Sequence, residues 1–327
     1  MSCTNLQHKA ERASFSPLPS TTNESMSDTK SLITRNIWES FVKVEITLDI
    51  PHMVHETYYG TLHRNSYLPL QFSKLYEYFK YCLDETHLSN FDQWWIEHDS
   101  IPLKWHLPIG LIYDICSPQR TGTWHLSLRV DKFPADSIIP YQNLEHGTEI
   151  WTKAVENIWL NQIKESCFVQ CGSAKPIMSL SKEDSTAFWE AVTAHNLDGY
   201  KAIEKKITPS LSNIRNIPLK LYIQQANDVI DIEEDIEVIQ APVSPFQSSG
   251  ASQTMFSALA SVIPELFPRH DPPRYTFAVP SIHAAIIPED AILAELYSVG
   301  SYLDGFLHIL IEGEKTIDRR EEGGEIN

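Results

Sequence analysis

No stretch of the 327-residue chain holds the roughly 20 consecutive apolar residues that a membrane span needs. The N-terminal stretch has no apolar segment of the signal-peptide kind, so a cytoplasmic protein is expected. Glycine is scarce, at 12 residues, and none of it builds a phosphate-cradling loop. Neither a Gly-x-Ser-x-Gly elbow nor a helical His-Glu-x-x-His occurs, which weighs against hydrolase and metalloprotease chemistry. Positive charge is also short: 26 Lys and Arg against 43 Asp and Glu leave a formal net charge of -17. Such a chain repels phosphate backbones, and no nucleic-acid partner is expected. The five cysteines form no metal pattern, since Cys167 and Cys171 lack a second pair or a nearby His pair. They are read as reduced thiols. The 13 histidines are scattered; His98, His106 and His125 lie among tryptophans and strands and read as surface or partly buried imidazoles. No cofactor and no metal are expected.

Hydrophobic residues are plentiful, at 42%, and the length suits two or three domains. Residues 1–33 read as a disordered extension, because Ser14–Ser31 is rich in Ser, Thr, Asn and Pro and buries too little to offset its ordering entropy. Order begins near Ile37-Trp38. Val42, Val44, Ile46 and Leu48 alternate with polar residues as a strand. A loop holding Pro51, His52 and Gly60 follows, then a short extended segment at Tyr67–Leu70. Phe72, Leu75, Tyr76 and Phe79 fall at helical spacing over about 71–82. Gln93–Ile96 and Leu103–Trp105 read as a hairpin across Asp99-Ser100. Pro108 opens a helix carrying Ile109, Ile112 and Ile115, and Trp124, Leu126, Leu128 and Val130 alternate as a closing strand. This order is that of a β-grasp, or ubiquitin-like, fold.

The same order recurs later without sequence identity. Strands are expected at Leu219–Ile223, Ile232–Ile239, Tyr275–Val279, Ala284–Ile287 and Phe306–Ile311. Helices are expected at Met255–Ile263 and from Pro288-Glu289-Asp290 through Leu296. The middle reads as helices: Thr148-Glu149 starts one that Gly172 stops, Ser181 precedes another, and Ile203 and Ile207 belong to a last one. The chain is thus expected to be α+β, with two ubiquitin-like domains flanking a helix-rich domain. The expected limits are 34–147 for domain A, 148–210 for the helix-rich unit, 211–313 for domain B and 314–327 for a flexible tail.

Asp228, Asp231, Glu233, Glu234, Asp235 and Glu237 alternate with isoleucines, which fits a solvated edge strand better than a metal site. Gly323-Gly324 would have to lose three residues before serving as a modifier's diglycine end. Trp94, Trp95 and Trp105 cluster around one hairpin and read as core, with a partner anchor as the alternative.

Two windows carry a family resemblance. Trp95–Asp114, with its Pro102-Leu103-Lys104-Trp105-His106 and Pro108-Ile109-Gly110-Leu111 core, resembles the signature of the autophagy-related protein 5 family. Asp304-Gly305-Phe306-Leu307-His308-Ile309 is similar to that family's closing strand. The matches run in order along roughly residues 36–312. The resemblance implies a non-enzymatic scaffold, part of an E3-like conjugate. One lysine would form an isopeptide bond with the C-terminal glycine of autophagy-related protein 12. Ile163-Lys164-Glu165 aligns with the acceptor, which points to Lys164; Lys153 and Lys175 are the rivals. The E1-like autophagy-related protein 7 and the E2-like autophagy-related protein 10 would make that bond. An N-terminal helix of autophagy-related protein 16 would bind between the domains. The conjugate would act with the E2-like autophagy-related protein 3 in moving autophagy-related protein 8 onto phosphatidylethanolamine, peripherally at the phagophore assembly site membrane. Nothing local activates Lys164, so its reactivity would come from positioning by the conjugating enzyme. Two other readings stand beside this one: a free-standing modifier using Gly324, and a conjugating enzyme using Cys167 or Cys116.

Overall fold

Val42, Val44, Ile46 and Leu48 alternate along β1 (Phe41–Leu48), and all four are buried. The computed structural model describes residues 23–50, 56–117, 121–141, 147–224 and 236–313. In it β1 joins β2 (Glu56–His63), β3 (Trp95–His98), β4 (Ile101–Pro102) and β5 (Trp124–Arg129) in a sheet of order β2-β1-β5-β3-β4. β1 and β5 are parallel at its centre and the other pairs are antiparallel. Helix α1 (Asn23–Glu39) precedes the sheet; α2 (Phe72–Phe79), α3 (Glu85–Ser89) and α4 (Ile109–Cys116) lie within the unit. Phe72, Leu75 and Phe79 form the apolar stripe of α2 and enter the core.

A helical unit follows: α5 (Glu149–Cys171), α6 (Lys175–Met178), α7 (Lys182–Thr193) and α8 (Leu197–Ile207). Gly172 ends α5 in the left-handed conformation (φ 73°), where a Cβ is costly. The Ser181 hydroxyl caps α7 by accepting from Asp184 N. The second sheet has strands β6 (Ile217–Gln224), β7 (Ile236–Val243), β8 (Ala278–Ile282), β9 (Ala285–Ile286) and β10 (Leu307–Gly313), in the order β7-β6-β10-β8-β9. Its helices are α9 (Met255–Val262) and α10 (Leu293–Gly300). The two sheets therefore share one topology, with a parallel central pair. They also share a turn device. Asp99-Ser100 joins β3 to β4, and His283-Ala284 joins β8 to β9, each pair at positive φ. That is the backbone a two-residue hairpin with right-handed twist requires.

Leu219, Leu221, Leu307, Ile309 and Ile311 form one buried face of the second sheet, against α9. On its other face Tyr222 and Leu310 join the core of the first sheet and the helical unit. Burial on both sides explains why β6 and β10 read as nearly continuous apolar runs.

Five expectations need correction. The hairpin's second strand is Ile101–Pro102, directly after the two-residue turn, and Leu103–Trp105 lies beyond it. The second strand of domain A is β2, in the stretch read as a loop, while Leu68–Gln71 forms a 3-10 turn. Tyr58 and Leu62 are its inward residues; Tyr59 is 69% exposed, so its pattern is too diluted to see. Helix α1 reaches back to Asn23, into the stretch expected to be disordered. Its order is tertiary: buried Trp38 anchors its end, it packs on α10, and Lys30 pairs with Glu295 at 3.3 Å. Strand β8 begins at Ala278, and Phe277 before it is 53% exposed, so the expected alternation ran on the wrong residues. Helix α10 begins at Leu293, after Pro288-Glu289-Asp290 rather than on it. The acidic run 228–235, the diglycine, Pro51 and His52 lie outside the described residues.

Gly305 takes φ 77°, and a Cβ there would collide with the Ser166 hydroxyl of α5. Gly305→Ala should therefore cost about 2 kcal/mol or more through strain and lost interdomain contact. A lower urea midpoint than wild type is the expected reading; an unchanged one contradicts this account of the joint.

Candidate functional site

Leu303 is where the three units meet. Its carbonyl accepts from Trp159 Nε1 of α5 at 2.7 Å and from the Tyr200 hydroxyl of α8 at 3.0 Å. Its N–H donates to Asn65 Oδ1 of the first unit at 3.3 Å. The next residue, Asp304, is buried and accepts from Phe306 N at 3.1 Å and from His308 Nε2 at 2.9 Å. Tyr222 OH donates to His308 Nδ1 at 2.9 Å. A neutral imidazole protonated on Nε2 satisfies both partners. Burial would raise the Asp304 carboxyl, but His308, Lys220 and the Phe306 N–H outweigh it and hold it below the usual carboxylate range. Burial pushes His308 down, and Asp304 opposes this only in part, so the ring stays neutral. The Lys220 ammonium sits 4.1 Å from the Phe306 ring centre and donates to Gln162 Oε1 of α5.

Beside this network opens a cleft of about 580 Å³ between the units. Leu107 and Ile139 come from the first unit, Ile158 from α5 and Val238 from β7. Ile139 is 45% exposed and Val238 54%. Apolar groups at the rim over a polar floor leave a surface that an amphipathic segment can cover. His106 lines the cleft with an enclosed Nδ1 that has no hydrogen-bond partner among the described residues. Burial first, then the charges of Lys104 and Lys220, push its imidazole down to about 4.

Lys164 lies elsewhere on α5. It is half-buried, makes no hydrogen bond or ion pair with any described residue, and edges an apolar pocket of about 250 Å³ with Trp159, Met178, Phe188 and Trp189. Gln162 faces the cleft, and Lys164 is two residues on, about 200° around the helix. The cleft and the lysine thus use different faces of one helix. Lys153 pairs with Glu156 at 2.9 Å, and Lys175 is exposed at the start of α6.

The other singled-out residues are structural. Trp94, Trp95 and Trp105 are all buried; Trp95 donates to Asp131 O and Trp105 to Ile139 O, both at 2.8 Å. His98 Nδ1 lies 2.9 Å from His125 O, while exposed His125 lies 3.4 Å from Glu45. His106 is apart from both, in the cleft, and among the described residues no cluster fit for a metal forms. Burial pushes the Cys116 thiol up to about 12 and the Cys167 thiol to about 11, the reverse of what a nucleophile needs. Asn65, Trp159, Tyr200 and Tyr222 escaped sequence reasoning. The Asp-Gly-Phe-Leu-His window marked the place but not its partners.

Two β-grasp sheets clamped on a helical unit, with an unpaired lysine on its long helix, define a multidomain protein of the ubiquitin-like fold class. Family models described as Autophagy protein ATG5 match as the UblA domain at residues 37–130, the alpha-helical bundle region at 152–210 and the UblB domain at 216–311. The chain belongs to the autophagy protein 5 family. Autophagy protein 5 of Pichia angusta is 31% identical over 300 residues, covering 90% of this chain and 99% of the relative. That of Candida albicans is 31% identical over 293 residues, covering 87% and 98%. The crystal structure of Kluyveromyces marxianus Atg5 shares the fold, with a TM-score of 0.67 at 21% identity over 86% of this chain and 99% of that one.

An unfolded His106 takes a proton near 6.5, the folded one only near 4. Between these values the unfolded state binds more protons, so stability falls as pH falls through that window. Buried His283, pushed down to about 3, acts in the same sense. His106→Gln should shrink the loss of urea resistance between about pH 7.5 and pH 5. Parallel losses in variant and wild type would remove His106 from the pH response.

Proposed function

We propose that this autophagy protein is a scaffold joined through Lys164 to the C-terminal glycine of autophagy-related protein 12. The observation that carries this reading is an unpaired, accessible lysine on α5, inside the matched helical-bundle region, on a face separate from the cleft. Attack on a thioester by the Lys164 Nζ would form the isopeptide bond and release the thiol of the E2-like autophagy-related protein 10, loaded by the E1-like autophagy-related protein 7. This chain supplies the amine and its setting, and the catalytic cysteines belong to those partners. The cleft would take the N-terminal helix of autophagy-related protein 16, its apolar stripe covering Leu107, Ile139, Ile158 and Val238. The assembled conjugate would promote transfer of autophagy-related protein 8 from the E2-like autophagy-related protein 3 to phosphatidylethanolamine. It would work from the cytoplasm at the phagophore assembly site membrane, held there peripherally through the complex.

Lys164→Arg should abolish the covalent adduct and leave helix binding intact. Arginine keeps the stem and the charge but stays protonated and cannot attack. Val238→Asp should do the reverse, weakening helix binding about tenfold or more by placing a charge in the apolar rim. Intact mass and branched-peptide mapping from native cells, with a pull-down of the helix, read both. An adduct that survives Lys164→Arg but is lost when the chain is cut before Gly323 would instead mark a free-standing modifier.

A further inference from the structure

Domain B holds a separate cavity of about 490 Å³, in the range of small-ligand sites. Its floor is buried Gln253, Phe256 and Ala260; its rim carries Ser248, Ser249, Arg269 and His270. None of the ten described lining residues is acidic, in a chain with 43 Asp and Glu. Arg269 makes no ion pair with any described residue. The nearby Glu289 carboxylate turns elsewhere, accepting from Tyr275 N at 3.3 Å.

Gln253 supplies the second observation. It is only 7% exposed, and its side-chain amide has no hydrogen-bond partner among the described residues. Its backbone is spent: N donates to Pro245 O and O accepts from Leu293 N, each at 2.9 Å. The residue lines the cavity and its amide atoms are not sealed from solvent, so they are open to a polar ligand. The start of α9 is closed to such a ligand, because the N–H groups of Met255, Phe256 and Ser257 go to Ala291 O, Glu289 O and Thr254 Oγ1. Ser257 and Ser261 already spend their hydroxyl protons on the carbonyls of Thr254 and Ala258. The donors left are the Arg269 guanidinium, the Gln253 amide and the two rim serines, a cationic and neutral donor set without a competing carboxylate.

We propose that this cavity binds a phosphate monoester, with Arg269 making the charge-assisted contact, Gln253 a neutral one, and the organic part lying against Phe256 and Ala260. The site is independent of Lys164 and of the interdomain cleft. The test uses the full chain and three probes: O-phosphoserine, inorganic phosphate and serine, followed by amide chemical shifts. Phosphoserine should give saturable shifts confined to Gln247–Gln253 and the Arg269-His270 loop, and serine none. It should bind more tightly than inorganic phosphate, since the organic part gains contact. Arg269→Ala should weaken binding about tenfold or more with the remaining spectrum unchanged, and Gln253→Leu should weaken it by a smaller factor. Equal binding of phosphoserine and inorganic phosphate, the absence of saturable shifts, or unchanged affinity in Arg269→Ala would each overturn the proposal.

Discussion

The carbonyl of Leu303 accepts two hydrogen bonds from two different helices, and the rest of the architecture depends on that junction. Trp159 and Tyr200 reach it from α5 and α8, while Asn65 of the first unit holds the same residue's N–H. Each side chain is large or polar and well buried, so each would be costly to leave unpaired. Removing the segment that bears Leu303 would strip partners from all three units at once. The units are therefore held by directional bonds as well as by the apolar core they share. The adjoining Asp304-His308-Tyr222 chain extends the constraint into the sheet. Its charge is held by a neutral imidazole, by Lys220 and by a backbone N–H, as a buried carboxylate requires.

Because the junction pins the second sheet by its back face, that sheet has little free surface at its centre. β6 and β10 are covered on both sides, and the exposed part moves to the edge strand β7. Its Val238 then becomes one wall of the cleft. The same constraint gives α5 two separate duties. One face seals the cleft through Ile158 and Gln162, another packs Trp159 beneath Phe188 and Trp189, and Lys164 stands at the edge of the latter. The two faces are thus free to serve separate contacts on one helix.

Elements whose signal is local were legible in the sequence: β1, α2, β5 and the cap residues Ser181 and Gly172 each follow from their own periodicity or backbone chemistry. So was the β-grasp order, because alternating strands and short helices of this spacing admit few arrangements. Lys164 is singled out by family resemblance alone, since a lysine on a helix carries no local mark of reactivity. β2 and α1 were not legible. β2 is an edge strand with exposed Tyr59, and its order comes from pairing with β1; α1 is ordered by Trp38 and by contact with α10, some 260 residues away.

By itself the sequence determined two ubiquitin-like units around a helical one, since hydrophobic periodicity and turn chemistry act over a few residues. Tertiary structure alone decided that Asn65, Trp159, Tyr200 and Leu303 meet, and that His106 titrates in a cleft. It also decided that Lys164 and the cleft take different faces of α5. Those facts join residues up to 238 positions apart, and no local pattern encodes a contact that exists only once the three units have packed together.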